Sequence, residues 1–171
     1  MRESAMNKVE ILKRADMFYD LTPAQYEMLA AICDEQRARL GEILFEENTP
    51  GDEMYVIGRG SVEVLVDPSI VGGPGVKARS GPVTIATLRE GQTFGEVALV
   101  DQGLRSASAR CAEAETSLLR IPRDKFITLC DSYPELGYKV MRNMAADLAF
   151  KIRGSDLAIR EQLLWRPRQA T

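Results

Sequence analysis

From Lys8 to about Cys33 the apolar residues Val9, Ile11, Leu12, Met17, Phe18, Leu21, Tyr26, Met28, Leu29 and Ile32 recur at helical spacing, which predicts two short helices. Between them, Thr22-Pro23-Ala24-Gln25 reads as a capping box, with the threonine oxygen accepting a free N–H, proline in the first turn and glutamine reaching back. From about Glu35 to Ile121 the period shortens. The runs ILFEE, EMYVIG, SVEVLV, VTIATL, TFGE, SASARC and TSLLRI are broken by glycines, the mark of a sandwich, jelly roll or barrel of short strands. After a helical turn around Asp124 to Cys130, Ser132-Tyr133-Pro134-Glu135 reads as a second capping box opening a long helix toward Trp165.

The apolar positions of that helix, Leu136, Val140, Met141, Met144, Leu148, Ile152, Ile159 and Leu163, form one stripe. At 1.5 Å per residue about 30 residues span ~45 Å, too long for a domain with a radius of gyration of ~15 Å to cover. The distal half therefore needs a partner. The 4-3-4 spacing of Leu148, Ile152, Ser155 and Ile159 suits a two-helix seam, so a homodimer through this helix is expected. Gly154 weakens the helix locally and is a candidate hinge.

A length of 171 residues fits one globular domain. A net charge of −3 carries no sequence-wide footprint for a nucleic-acid backbone, so direct DNA binding is not expected. Histidine is absent, which removes histidine-ligated metals, haem and imidazole-based triads, and no bound metal is expected. The cysteines Cys33, Cys111 and Cys130 lie far apart and read as buried thiols in a reducing compartment. No apolar run is long enough to cross a membrane and the N-terminus lacks a secretory core, so a cytoplasmic location is expected. The Gly/Pro-rich segment 67–82 reads as a long hairpin loop; its Gly72 to Lys77 stretch fails the spacing of a phosphate-binding P-loop, since Ala78 follows the lysine.

The stretch from Gly91 to Ala109 carries the chemistry. A strand ends at Phe94, Gly95 allows a sharp turn, and Glu96 to Val100 can form one helical turn whose free N–H groups favour an anion. Arg105, read as starting the next strand, can swing back over the same spot. One guanidinium suits one singly charged phosphodiester, while Glu96 suits a neighbouring hydroxyl donor such as a ribose 2′-OH.

Phe94-Gly95-Glu96-Val97-Ala98-Leu99 followed by Arg105-Ser106-Ala107 closely resembles the phosphate-binding cassette of the cyclic nucleotide-binding domains of catabolite-activator-type bacterial regulators, protein kinase A regulatory subunits and cyclic nucleotide-gated channels. Gly41 to Phe45, Gly51 to Ile57 and Gly60 to Val64 are similar to that family's early strands, and the resemblance covers roughly residues 21–163. It implies that Glu96 accepts the ribose 2′-OH and Arg105 pairs with the cyclic phosphate. Gly95, Ala98 and Ala107 would offer backbone groups, and Ser106 would touch phosphate or base. Leu104 departs from the proline often found before the arginine. Serine at 106 leaves the base open, since threonine there accompanies cyclic GMP, alanine cyclic AMP, and serine cyclic AMP in the bacterial regulators. Ser155 aligns approximately with a polar residue of the long helix that reaches the adenine in those regulators.

The expected fold is mainly β with flanking helices, an eight-stranded jelly-roll β-barrel in a single domain over 7–165: N-terminal helices 7–33, β-roll 35–121 and C-terminal helices 124–165. The expected function is a cyclic nucleotide sensor, for cyclic AMP before cyclic GMP, that performs no catalysis and relays occupancy through its C-terminal helix to a dimer partner or another protein. The expected ligand-binding residues are Phe94, Gly95, Glu96, Val97, Ala98, Leu99, Arg105, Ser106, Ala107 and Ser155. The chain ends soon after Trp165, so no output domain is expected in it. The alternative is a jelly-roll interaction domain that does not bind nucleotide. A metal-dependent jelly-roll enzyme would need histidines that the chain lacks.

Overall fold

A computed structural model describes residues 7–68 and 81–164. Most of the 67–82 loop lies outside the described residues. Among the described residues eight strands form two four-stranded antiparallel sheets. The first has the order β1 (Asp34–Ala38), β8 (Thr116–Pro122), β3 (Glu53–Arg59), β6 (Thr93–Phe94); the second has the order β2 (Ile43–Phe45), β7 (Ser108–Cys111), β4 (Ser61–Val66), β5 (Val83–Arg89). The arrangement is jelly-roll-like, but two sheets face each other and among the described residues no continuous ladder closes a barrel, which corrects that part of the expectation.

Side-chain alternation explains why β3 and β8 read as nearly continuous apolar runs. Met54, Val56, Leu119 and Ile121 point into a core shared with the helices, while Tyr55, Ile57 and Leu118 point into a second core between the sheets. The centre of the first sheet, β3 and β8, is thus a middle layer, buried on both faces. The second sheet has a wet outer face, where Ile85 and Ile43 stand exposed.

The N-terminal layer comprises α1 (Lys8–Arg14), a 3-10 turn (Asp16–Phe18) and α2 (Pro23–Ile32), one element more than the periodicity predicts. The Thr22 capping box is present: Thr22 Oγ1 accepts from Gln25 N, and Thr22 N donates to Gln25 Oε1. At the other end, α4 (Arg123–Ser132) keeps Ser132 inside its last turn, and the long helix α5 (Pro134–Leu164) starts two residues later. The second capping box is therefore not formed. Instead, Tyr133 stands at the junction, donating its N–H to Leu129 and accepting from Gly137 N. On α5, Leu136, Val140 and Met144 are buried in the helical core, Met141 and Leu148 pack against its edge, and Ile152 is exposed. The Asn143 side-chain amide donates to the carbonyls of Met17 and Tyr19, pinning α5 to the N-terminal layer. α5 runs unbroken through Gly154.

No helix among the described residues is long and apolar enough to cross a membrane.

Candidate functional site

Arg105 lies three residues before β7, not at the start of a strand, yet its backbone is held as firmly as a strand residue. Arg105 N donates to the Thr49 carbonyl and its own carbonyl accepts from Asn48 N, both at 2.8 Å, while Leu104 bridges Pro50. This clamp aims the side chain inward. Arg105 is 3% exposed, and its guanidinium lies 4.0 Å above the ring of Phe45. Nη1 donates to the Gly95 carbonyl at 3.0 Å; Nη2 donates to the Glu53 carbonyl at 2.9 Å and to Glu53 Oε1 at 2.8 Å. The Nε–H, buried as well, has no hydrogen-bond partner among the described residues. A buried donor without a partner is costly, and here it leaves one edge of a cation unspent.

Gly95 makes this approach possible. Its φ of +79° disfavours any side chain, and a Cβ there would fall 2.7 Å from Arg105 Nη1. The next residue, Glu96, precedes the short helix α3 (Val97–Asp101) and is 4% exposed. The Arg105–Gly95 bond thus brings the guanidinium to the backbone immediately beside Glu96. The Glu96 carboxylate is covered by α5: Lys151 Nζ donates to Glu96 Oε1 at 2.8 Å and makes a second ion pair with Asp147 Oδ2 at 2.8 Å. Burial pushes the Lys151 pKa down, but the Glu96 and Asp147 carboxylates outweigh it and the net shift is upward.

On the opposite side of Arg105, the Glu53 carboxyl is pushed up by burial and by the hydrogen bond it shares with Asp52, with Tyr55 and Arg105 pulling the other way. Asp52 is lowered, chiefly by that same shared hydrogen bond. Tyr55 stacks on Phe94 at a centroid distance of 5.1 Å, and Phe45 joins them at 6.1 Å from Tyr55 and 5.9 Å from Phe94. These three rings floor the site.

The remaining expected residues divide by role. Phe94 is 4% exposed and packs in the inter-sheet core, while Leu99 is 1% exposed in the helical core. Their side chains support the cassette from below. Leu99 also ties it to α4, because its carbonyl accepts from Arg123 Nε at 3.0 Å. Val97 is exposed, and the Ala98 backbone lies within α3. Ser106 is exposed and Ala107 half-buried in the bend leading to β7. Ser155 is exposed on α5, one turn past Lys151, and its hydroxyl donates to the Lys151 carbonyl at 3.0 Å. The structure gathers Gly95, Glu96 and Arg105, with Ser155 further out along the helix.

Sequence reasoning misses Glu53, Phe45 and Lys151. Gly51-Asp52-Glu53 looks like an early strand with no assigned chemistry, and Lys151 falls between the apolar positions of the α5 stripe, where a lysine reads as a solvated charge. No cluster of three or more metal-ligating side chains occurs among the described residues.

The cyclic nucleotide-binding domain family model matches residues 35–133, more than half of the chain, and the matched span includes the whole cassette. The cyclic AMP receptor protein of Thermus thermophilus is 29% identical over 148 residues, covering 86% of this chain and 62% of that protein. The CRP-like cAMP-activated global transcriptional regulator of Mycobacterium tuberculosis is 27% identical over 140 residues, covering 81% of this chain and 58% of the relative. The chain therefore spans about three fifths of these relatives' length. A cyclic nucleotide-binding domain from Methylobacillus flagellatus superposes with a TM-score of 0.75 at 27% identity, over 91% of this chain and 82% of its own. With the matched span, the two-sheet architecture and the buried Arg105 beside Glu96 in agreement, the chain belongs to the cyclic nucleotide-binding domain family.

Proposed function

We propose that the protein is a cyclic nucleotide sensor, with cyclic AMP as its preferred ligand and cyclic GMP as the competing one, and that it performs no catalysis. The observation that carries this reading is the buried Arg105 guanidinium with its Nε–H unspent beside Gly95 and Glu96. A cyclic phosphate carries one negative charge, matched by one guanidinium. In a site this poorly solvated, a charge-assisted hydrogen bond is stronger than at an open surface. The ribose 2′-OH donates to Glu96, and the backbone of Gly95, Ala98 and Ala107 lines the sugar and phosphate. Val97 and Ser106 flank the pocket, with Phe94 and Leu99 supporting it. Ser155 meets the base if α5 closes over it.

Occupancy is relayed as a population shift. Leu99 couples the cassette to the helical core, and α5 lies across the carboxylate that the sugar requires. In the distal half of α5, Ile152, a position of the expected seam, is 62% exposed, which supports a homodimer through this helix.

One observation favours the alternative, an interaction domain without ligand: Glu53 and Lys151 already engage the two charged groups of the site. Parallel calorimetric titration with cyclic AMP, cyclic GMP and 5′-AMP separates the readings. The sensor binds cyclic AMP more tightly than 5′-AMP, whose open phosphate brings a second charge and a different shape. Silence toward both cyclic nucleotides overturns the sensor and leaves the interaction domain.

A further inference from the structure

The Arg105 fork has five N–H donors, and three of them are already placed: one on the Gly95 carbonyl, one on the Glu53 carbonyl and one on Glu53 Oε1. Its Nε–H has no hydrogen-bond partner among the described residues. A phosphate bound there lies on the same guanidinium as the Glu53 carboxylate, so two anions share one cation. We propose that Glu53 is a specificity-determining residue that selects the singly charged phosphate of a cyclic nucleotide against the doubly charged phosphate of an open one. This rests on the cyclic nucleotide reading of the site and separates charge from ring shape in its selectivity.

Glu53 is held too firmly to yield its place. Its side chain is 18% exposed, and Tyr55 Oη donates to Oε1 at 3.1 Å. Arg105 Nη2 donates both to that oxygen, at 2.8 Å, and to the residue's own carbonyl, at 2.9 Å. Asp52 shares a further hydrogen bond with the carboxyl and adds a second acidic group beside it. The nearby arginine of β8, Arg120, is bridged to Asp34 at 2.8 Å. Arg105 therefore already faces a carboxylate before any ligand arrives. With those two charges cancelling, a cyclic phosphate leaves the site with one excess negative charge and an open phosphate leaves it with two. Little water reaches this guanidinium to screen the repulsion. Because the repulsion is proportional to ligand charge, neutralising Glu53 helps a dianion twice as much in free energy as a monoanion.

The test is titration of the parent and Glu53→Gln with cyclic AMP, 5′-AMP and the methyl ester of 5′-AMP, which is open but singly charged. At about pH 8, above the second phosphate ionisation near about 6, 5′-AMP is a dianion. Glutamine keeps an oxygen for Arg105 and Tyr55 and an N–H for Asp52 while removing the charge. Glu53→Gln is expected to bind cyclic AMP roughly three- to tenfold more tightly than the parent, and 5′-AMP by the square of that factor, roughly ten- to a hundredfold. In the parent itself the methyl ester is expected to bind at least about threefold more tightly than 5′-AMP, a comparison that needs no variant to fold. An equal change for cyclic AMP and 5′-AMP overturns the assignment, because a displaced Arg105 does not count ligand charges. So does weaker binding of both by Glu53→Gln, or 5′-AMP left unbound by it at millimolar concentration, since ring shape then discriminates. A methyl ester no tighter than 5′-AMP in the parent overturns it as well. If the parent binds neither cyclic nucleotide, the sensor reading itself fails and takes this role with it; cyclic AMP bound with an unchanged ratio removes the role of Glu53 alone.

Discussion

The two halves of α5 are built on opposite terms. In the proximal half Leu136, Val140 and Met144 are at most 1% exposed and belong to the helical core, with Asn143 bonded to two carbonyls of the N-terminal layer. In the distal half Phe150, Ile152 and Leu157 are exposed, and among the described residues the side-chain tie to the β-roll is the Lys151–Glu96 pair. The first half is fixed by non-directional burial, the second by one ion pair with specific geometry. The difference teaches where a ligand can act. A nucleotide cannot compete for a leucine's place in a core, but it can compete for a carboxylate.

The largest expected effect breaks the proximal half. Leu136→Ala should destabilise the fold by ~2–5 kcal/mol, read as a lowered denaturant midpoint at unchanged slope. A loss under about 1 kcal/mol would mean that this half is as loosely held as the other. The thiols sharpen the same contrast through pH. Burial pushes Cys33 up to about 12 and Cys130 up to about 11, and raises Cys111. Because the folded values lie above the ordinary thiol range, their contribution is fully present below about pH 8.5, and stability falls as pH rises from there toward 11 to 12. A pH series of denaturation midpoints checks this. At pH 8 the native protein should resist alkylation at all three positions, with half-buried Cys130 reacting before Cys33 once the protein opens.

Asn143→Ala should cost about 1 kcal/mol, since it removes two side-chain bonds and strands carbonyls that water can partly reach. Ile152→Ala is the smallest. It should leave subunit stability within about 0.5 kcal/mol of the parent while weakening any self-association measured by sedimentation. A large loss of subunit stability would show the distal half to be anchored after all.

The elements visible in the sequence are those specified locally. The Thr22 box needs only four consecutive residues, and the Leu136 to Leu148 stripe needs only helical period. Gly95, Glu96 and Arg105 stand within one short stretch whose turn requirements and charges can be read together. What stays hidden depends on distant partners. β1 is Asp34-Glu35-Gln36-Arg37-Ala38, a mostly polar edge strand that owes its place to pairing with β8 rather than to alternation of its own. Glu53 and Arg105 are 52 residues apart, Glu96 and Lys151 55, and nothing in either local pattern announces the pairing. Ser132 fails as a cap for a related reason: α4 extends through it, and a helical residue cannot also start the next helix.

The central claim is that Arg105 holds the phosphate of a cyclic nucleotide, and the dissociation constant of Arg105→Ala for cyclic AMP, set against the parent's by calorimetry, tests it most directly. The predicted loss is ~2–5 kcal/mol, a weakening of roughly 30- to 5,000-fold, in a protein that remains folded by circular dichroism. A folded Arg105→Ala protein that binds cyclic AMP as tightly as the parent would contradict it.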